Sequence, residues 1–131
     1  MRIFTFFLAM QLFTNCHLND DDCHHKLTFE NMSSETIWFG LGRGDEQVFP
    51  CRIGTGGLDS GSSYTQQITN SCWEKRINGG YRGSLAVYYF SEPPNSTSED
   101  CNEEELNSIV TERREYTIEE LNGINWIISY P

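Results

Sequence analysis

Ser84–Phe90 reads Ser-Leu-Ala-Val-Tyr-Tyr-Phe, and this stretch decides the fold class. It is short, apolar and rich in aromatic residues, as a strand is. Side chains alternate across a strand, so Leu85, Val87 and Tyr89 share one face and Ala86, Tyr88 and Phe90 the other. A strand that is apolar on both faces must be covered on both, which predicts a central position in a sheet.

Shorter runs lie on either side of it, separated by turn residues. Lys26–Glu30 alternates, with Leu27 and Phe29 on one face. Asn31–Glu35 is a turn by composition, and Thr36–Leu41 is a β-branched and aromatic strand. Together they predict a hairpin, KLTFENMSSETIWFGL. Gln47–Ile53 is expected to be a short edge strand, kept off the sheet centre by Pro50. Gly54–Ser63 is a glycine-rich loop, and Tyr64–Thr69 a strand exposed on one side. Asn70–Ile77 is expected to bend and then extend, and Ile109–Tyr116 fits a strand with charged outward positions. Asn125–Tyr130 is the last strand, with Trp126, Ile128 and Tyr130 on one face.

Two short helices are expected. Asn102 can cap a turn or two over Glu103–Ser108. Thr117-Ile118-Glu119-Glu120 fits a capping box that starts a helix reaching about Asn122, where Gly123 stops it. The sum is a mainly β fold: a small antiparallel β-sandwich, Ig-like or similar, with one or two short helices.

The first residues give an address. Arg2 is followed by the apolar run Ile3–Phe13, broken by Thr5 and Gln11. A basic start and an apolar run of this length are a secretory signal, too short to span a bilayer as a helix. The run ends at Phe13-Thr14-Asn15-Cys16. This resembles a bacterial lipobox of the looser Bacteroidota form, in which the chain is cut before an acylated cysteine. Asp20, Asp21 and Asp22 follow, as in acidic export signals of surface lipoproteins. The expected organisation is a signal peptide over 1–15, an acidic tether over 16–25 and a single β domain over 26–131. Cys16 would carry the lipid. Each acyl methylene buried in the bilayer is worth about 0.8 kcal/mol, so a multi-acyl anchor holds stably.

The chain has 9 basic and 19 acidic residues, a net charge of −10. Removal of residues 1–15 takes away Arg2, so the mature chain carries 8 − 19 = −11. A nucleic-acid partner is excluded, because neutralising phosphates needs a basic face. The membrane link is then the lipid alone. With Cys16 acylated, Cys23, Cys51, Cys72 and Cys101 remain, with three possible pairings in an oxidising compartment. The preferred one joins Cys51 to Cys72, closing the glycine-rich segment, and Cys23 to Cys101.

The C-terminal YTIEELNGINWIISYP resembles the ending of a family of small Bacteroides-type lipoproteins. The shared close, Leu-x(2,3)-Asn-Trp-x-Ile-x-Tyr-Pro, corresponds to Leu121, Asn125, Trp126, Ile128, Tyr130 and Pro131. An early strand like Lys26–Asn31 and a mid-chain Cys72-Trp73-Glu74 are also similar. The resemblance implies a cell-envelope location, most simply the outer membrane and its surface, and a mostly β fold. It carries over no catalytic residue and no cofactor.

Candidate sites are few. His17, His24 and His25 all fall in the tether, which argues against histidine-based nucleophilic catalysis or zinc binding in the domain. Asp20–His25 could gather a metal, but a tether is a poor preformed site, so no metal is expected. Glu103, Glu104, Glu105, Glu119 and Glu120 could supply a carboxylate pair for hydrolysis. Helix starts favour acidic residues anyway. Arg43-Gly44-Asp45 is the integrin-binding tripeptide in a glycine-flanked loop, a possible adhesion site. Exposed Tyr or Trp could stack on sugar rings, although alternating aromatics more often fill a core. The expectation is a non-catalytic envelope lipoprotein with a protein or glycan partner. The alternatives are a small carboxylate hydrolase and host adhesion through Arg43–Asp45.

Overall fold

The computed structural model describes residues 23–131. The expected signal peptide, Cys16 as the expected lipid site, His17 and Asp20–Asp22 lie outside the described residues. The fold is mainly β, with two sheets and three short helices. The chain runs β1 (Lys26–Asn31), β2 (Ile37–Arg43), β3 (Thr55–Leu58), β4 (Ser63–Gln67), α1 (Trp73–Gly79), β5 (Ser84–Phe90), α2 (Glu103–Ser108), β6 (Val110–Thr117), α3 (Ile118–Gly123) and β7 (Ile127–Tyr130). One sheet has the order β4-β1-β7, the other β3-β2-β5-β6.

β5 is central, between β2 and β6, as its two apolar faces require. Its inward Leu85, Val87 and Tyr89 join the main core with Leu27 and Phe29 of β1, Ile37 and Phe39 of β2, and Ile128 of β7. Its outward Ala86, Tyr88 and Phe90 form a second cluster with Phe49 and Leu106. Phe49 belongs to the segment expected to be an edge strand. That segment is instead a loop folded over the outer face of the larger sheet, where the Phe49 ring lies against bare Gly40. The Asn107 side chain stands in for a neighbouring strand: its Oδ1 accepts from Phe49 N at 2.7 Å and its Nδ2 donates to Phe49 O at 2.9 Å.

β1 and β2 do not form the expected hairpin. They belong to different sheets and face each other across the core, with the Phe29 and Phe39 rings stacked at 4.7 Å. Asn31 turns the chain between them. It is fully buried, donates to Glu35 O and Leu58 O, and accepts from the Ser33 amide and hydroxyl. All its hydrogen-bonding capacity is used inside the protein, which is what makes its burial tolerable. Nor is the architecture wholly antiparallel, since β1 and β7 pair in parallel. The connection between them spans the whole domain, so no tight turn dictates antiparallel entry.

Asn70–Ile77 is also not strand. Trp73 and Ile77 are spaced by four and both fully buried, the periodicity of a helix face, and α1 carries them into the core. The expected glycine-rich loop contains β3. The two caps form as expected: Asn102 Oδ1 accepts from Glu104 N at 2.9 Å, and Thr117 and Glu120 complete a reciprocal capping box.

The disulfides join Cys23 to Cys72 and Cys51 to Cys101, with Cα–Cα separations of 5.4 and 5.9 Å. This corrects the expected pairing of Cys51 with Cys72 and Cys23 with Cys101. The glycine-rich segment crosses from one sheet to the other, which separates Cys51 from Cys72. Cys51 is left on the outer layer with Cys101, while Cys72 caps α1 beside the start of β1. His24 and His25, expected in the tether, are held on the domain. His24 bonds Glu74 through its ring Nδ1 and its amide, and stacks on Trp126 at 4.6 Å. His25 Nδ1 lies 2.7 Å from Ser71 O.

Candidate functional site

The two sheets close differently at their two sides. At the β6–β7 side, Arg114 points inward, as its pairing with inward Val87 dictates. Its guanidinium lies 5.4 Å from the Tyr89 ring and 5.5 Å from the Tyr130 ring, and donates to Ser129 O of β7. Glu112 bonds the same guanidinium and, as the largest cause, raises its pKa, so the charge is permanent. One side chain thus bridges this side.

At the β3–β4 side the Asn31 side chain reaches Leu58 O at one end, and among the described residues no side chain hydrogen-bonds across the rest. Gly56 pairs with Phe39 and so occupies an inward position, but it has no side chain to contribute. A Cβ there would meet only the Phe39 ring, at 4.0 Å, and one at Gly54 would meet nothing. On β4 the register places Gln66 opposite Leu27 and Tyr64 opposite Phe29, so both also face inward. Tyr64 is nevertheless 51 % exposed. The result is a cleft of roughly 530 Å³ between the sheets, reaching down to Phe39 and Leu41 and flanked by Ile53, Tyr64, Gln66 and Tyr81. That volume lies within the range of small-molecule sites, about 300–1,000 Å³. No side chain lining it is charged. Burial raises the Tyr81 pKa, so its hydroxyl stays protonated. Past Leu41, Ile53 and Tyr81 the cleft adjoins a second recess of roughly 410 Å³, where Arg43, Glu46 and Arg76 stand.

The Arg43-Gly44-Asp45 loop is tightly tied. Arg43 Nε and Nη2 donate to the two Asp45 carboxylate oxygens at 2.9 and 2.7 Å, and this bond is the largest cause of the lowered Asp45 pKa. Gly44 N bonds Ser84 O, and Gly44 O accepts from Arg113 Nη2 at 2.7 Å. The two charges that a partner would read are satisfied by each other.

The acidic candidates are scattered. Asn102 caps the turn that begins with Glu103–Glu105, and Glu120 completes the capping box at α3. Glu92, Asp100 and Glu105 border a recess of about 130 Å³, below the size range of ligand clefts. Cys23 Sγ, Cys72 Sγ and a Glu74 oxygen lie within 4.8 Å of one another, a metal-like grouping. The sulfurs are bonded to each other, however, and Glu74 is taken by His24, so no thiolate is free to ligate. Most of the aromatic candidates fill the core, including Phe39, Trp73, Tyr88, Tyr89, Phe90 and Trp126. Tyr81 lines the cleft. Tyr64 and Gln66 were not candidates from the sequence; the signal was Gly56, an inward strand position without a side chain.

Comparison with protein-family models, with curated proteins and with solved structures gives no match.

Proposed function

We propose that this protein is a non-catalytic lipoprotein of the cell envelope, anchored in the outer membrane through Cys16. In this reading the domain is a small sandwich-like binding module for an external protein or glycan partner. The observation that carries the binding reading is the cleft between β3 and β4, whose lining is uncharged and holds no carboxylate. Acid–base hydrolysis needs two carboxylates placed across the bound substrate, and this lining offers none. The envelope location rests on the sequence: the signal, the lipobox-like Phe13–Cys16, and the resemblance of the C-terminal YTIEELNGINWIISYP to Bacteroides-type lipoproteins.

Adhesion through Arg43-Gly44-Asp45 is the less favoured alternative, because a partner must first break the Arg43–Asp45 pair. Intact mass of the native protein from a membrane fraction, before and after alkylation, tests the proposal. The expected species starts at Cys16, carries acyl mass and takes up no alkylating agent until reduced. A soluble species with a different start and Cys16 free or paired would overturn the anchor.

A further inference from the structure

We infer that the cleft between β3 and β4 binds an uncharged oligosaccharide, one sugar ring entering between Tyr64 and Tyr81. This rests on the binding-module reading and names its ligand class.

Three observations converge on it. The first is the bare inward face of β3. Sandwiched sheets fill inward positions with apolar side chains, and Leu58 does so. Two residues along the same face Gly56 is bare, and Gly54, in the loop just before β3, also lines the cleft. The space is therefore written into the sequence as a missing side chain at the inward β3 position opposite Phe39.

The second is a set of hydrogen-bonding groups left without protein partners and open to a ligand. Among the described residues the Tyr64 and Tyr81 hydroxyls and the Gln66 amide have no protein partner. Polar groups facing into a partly desolvated cleft favour a ligand that bonds them over one that does not. An acyl chain would fill the volume and displace water from all three groups without replacing its hydrogen bonds. A sugar ring meets both needs, with apolar C–H faces for the tyrosine rings and a rim of hydroxyls for the amide.

The third is charge. Nothing in the lining is charged, the cations of the adjoining recess are Arg76 and the already paired Arg43, and the whole chain carries −10, so a polyanionic glycan is disfavoured. An extended peptide is the nearest competitor. It would bind by adding a strand to a free sheet edge, through backbone groups. Here the unpartnered groups are side chains directed between the sheets, so the ligand goes into the cleft and not beside it.

The test uses the whole domain and short uncharged oligosaccharides of glucose, galactose, mannose, xylose and N-acetylglucosamine, read by saturation-transfer NMR. We expect saturable binding to at least one. It should weaken about tenfold in Tyr64→Ala, the loss of one ring face. Gly56→Leu should abolish it by filling the cleft, with circular dichroism and thermal midpoint showing that both variants stay folded. Absence of binding to every sugar overturns the ligand class but leaves the Cys16 anchor standing, since that is read by mass. Binding that survives both substitutions overturns the location. Selection of uncharged peptides from a display library, lost in Gly56→Leu, would replace the saccharide with a peptide.

Discussion

Phe39 and Gly56 are paired across β2 and β3 and face the same space between the sheets, and only Phe39 has a side chain to put there. On the opposite face of the same sheet, Gly40 is a different kind of glycine. A Cβ on it would lie 2.5 Å from the Phe49 ring. Gly56→Ala should therefore leave stability unchanged or raise it by up to about 1 kcal/mol, through reduced freedom of the unfolded chain. Gly40→Ala should cost about 1–3 kcal/mol, because Phe49 must leave a packed position. Urea denaturation of the pair checks both, and equal effects would contradict the assignment of one position to a cleft and the other to a packed layer.

The disulfides are the second matter to check. Each closes a loop of about fifty residues, at separations of 49 and 50. Chain entropy puts such a crosslink at about 4 kcal/mol. Peptide mapping under non-reducing conditions should recover Cys23 with Cys72 and Cys51 with Cys101. Replacing Cys51 and Cys101 by Ser should loosen the layer over Ala86, Tyr88 and Phe90, and amide exchange there should rise before it rises at Leu27 or Ile128. Recovery of Cys51 linked to Cys72 would mean that the loop and α1 lie elsewhere.

Much of the fold could be read from local pattern. β5 declares itself because both faces are apolar over the six residues Leu85–Phe90, and α3 because a capping box uses four adjacent positions. What could not be read is the partnership between distant elements. The hairpin expected of β1 and β2 fails because alternation shows which face is buried but not whether the burying face belongs to the same sheet. Asn31 looked like an ordinary turn residue, and its burial depends on carbonyls supplied by Glu35 and distant Leu58. Helix α1 is legible only in the four-residue spacing of Trp73 and Ile77, a signal one turn long in a segment that also fits a bend and a strand. The cleft was hidden for the same reason as the hairpin. Gly56 looks like part of a flexible loop until its strand is paired with β2 and its position is seen to point inward.

Arg114 seals one side of the protein as the glycines open the other. Its guanidinium sits against two tyrosine rings and bonds Glu112 and Ser129 O at once. Arg114→Ala should cost about 1–3 kcal/mol, from lost stacking and from Glu112 left without its partner. Arg114→Lys should recover little of this, because an ammonium lacks the planar fork that stacks and donates in two directions. Full rescue by Lys would reduce the contact to simple charge pairing.

Acid sensitivity should trace to two carboxylates near the Arg43–Glu46 loop. The Asp45 pKa is lowered from 3.8, chiefly by the Arg43 hydrogen bond. The Glu115 pKa is lowered from 4.5, first by the Ser84 hydroxyl, 2.6 Å away, and then by Arg113. A carboxyl whose pKa is lower folded than unfolded adds stability above its unfolded pKa and loses it as pH falls through the folded value. Stability should thus be level near neutrality and decline as the pH drops below about 5. Asp45→Asn and Glu115→Gln should each lower the neutral plateau and flatten part of that decline, and Ser84→Ala should mimic Glu115→Gln. Both carboxylates are well exposed, so the effects are small, but salt separates them. High salt should erase the Asp45 contribution, an ion pair in water, and spare the Ser84–Glu115 hydrogen bond. Denaturant midpoints against pH at low and high salt read this directly. A decline that all three variants leave unchanged would place the acid-sensitive groups elsewhere in the chain.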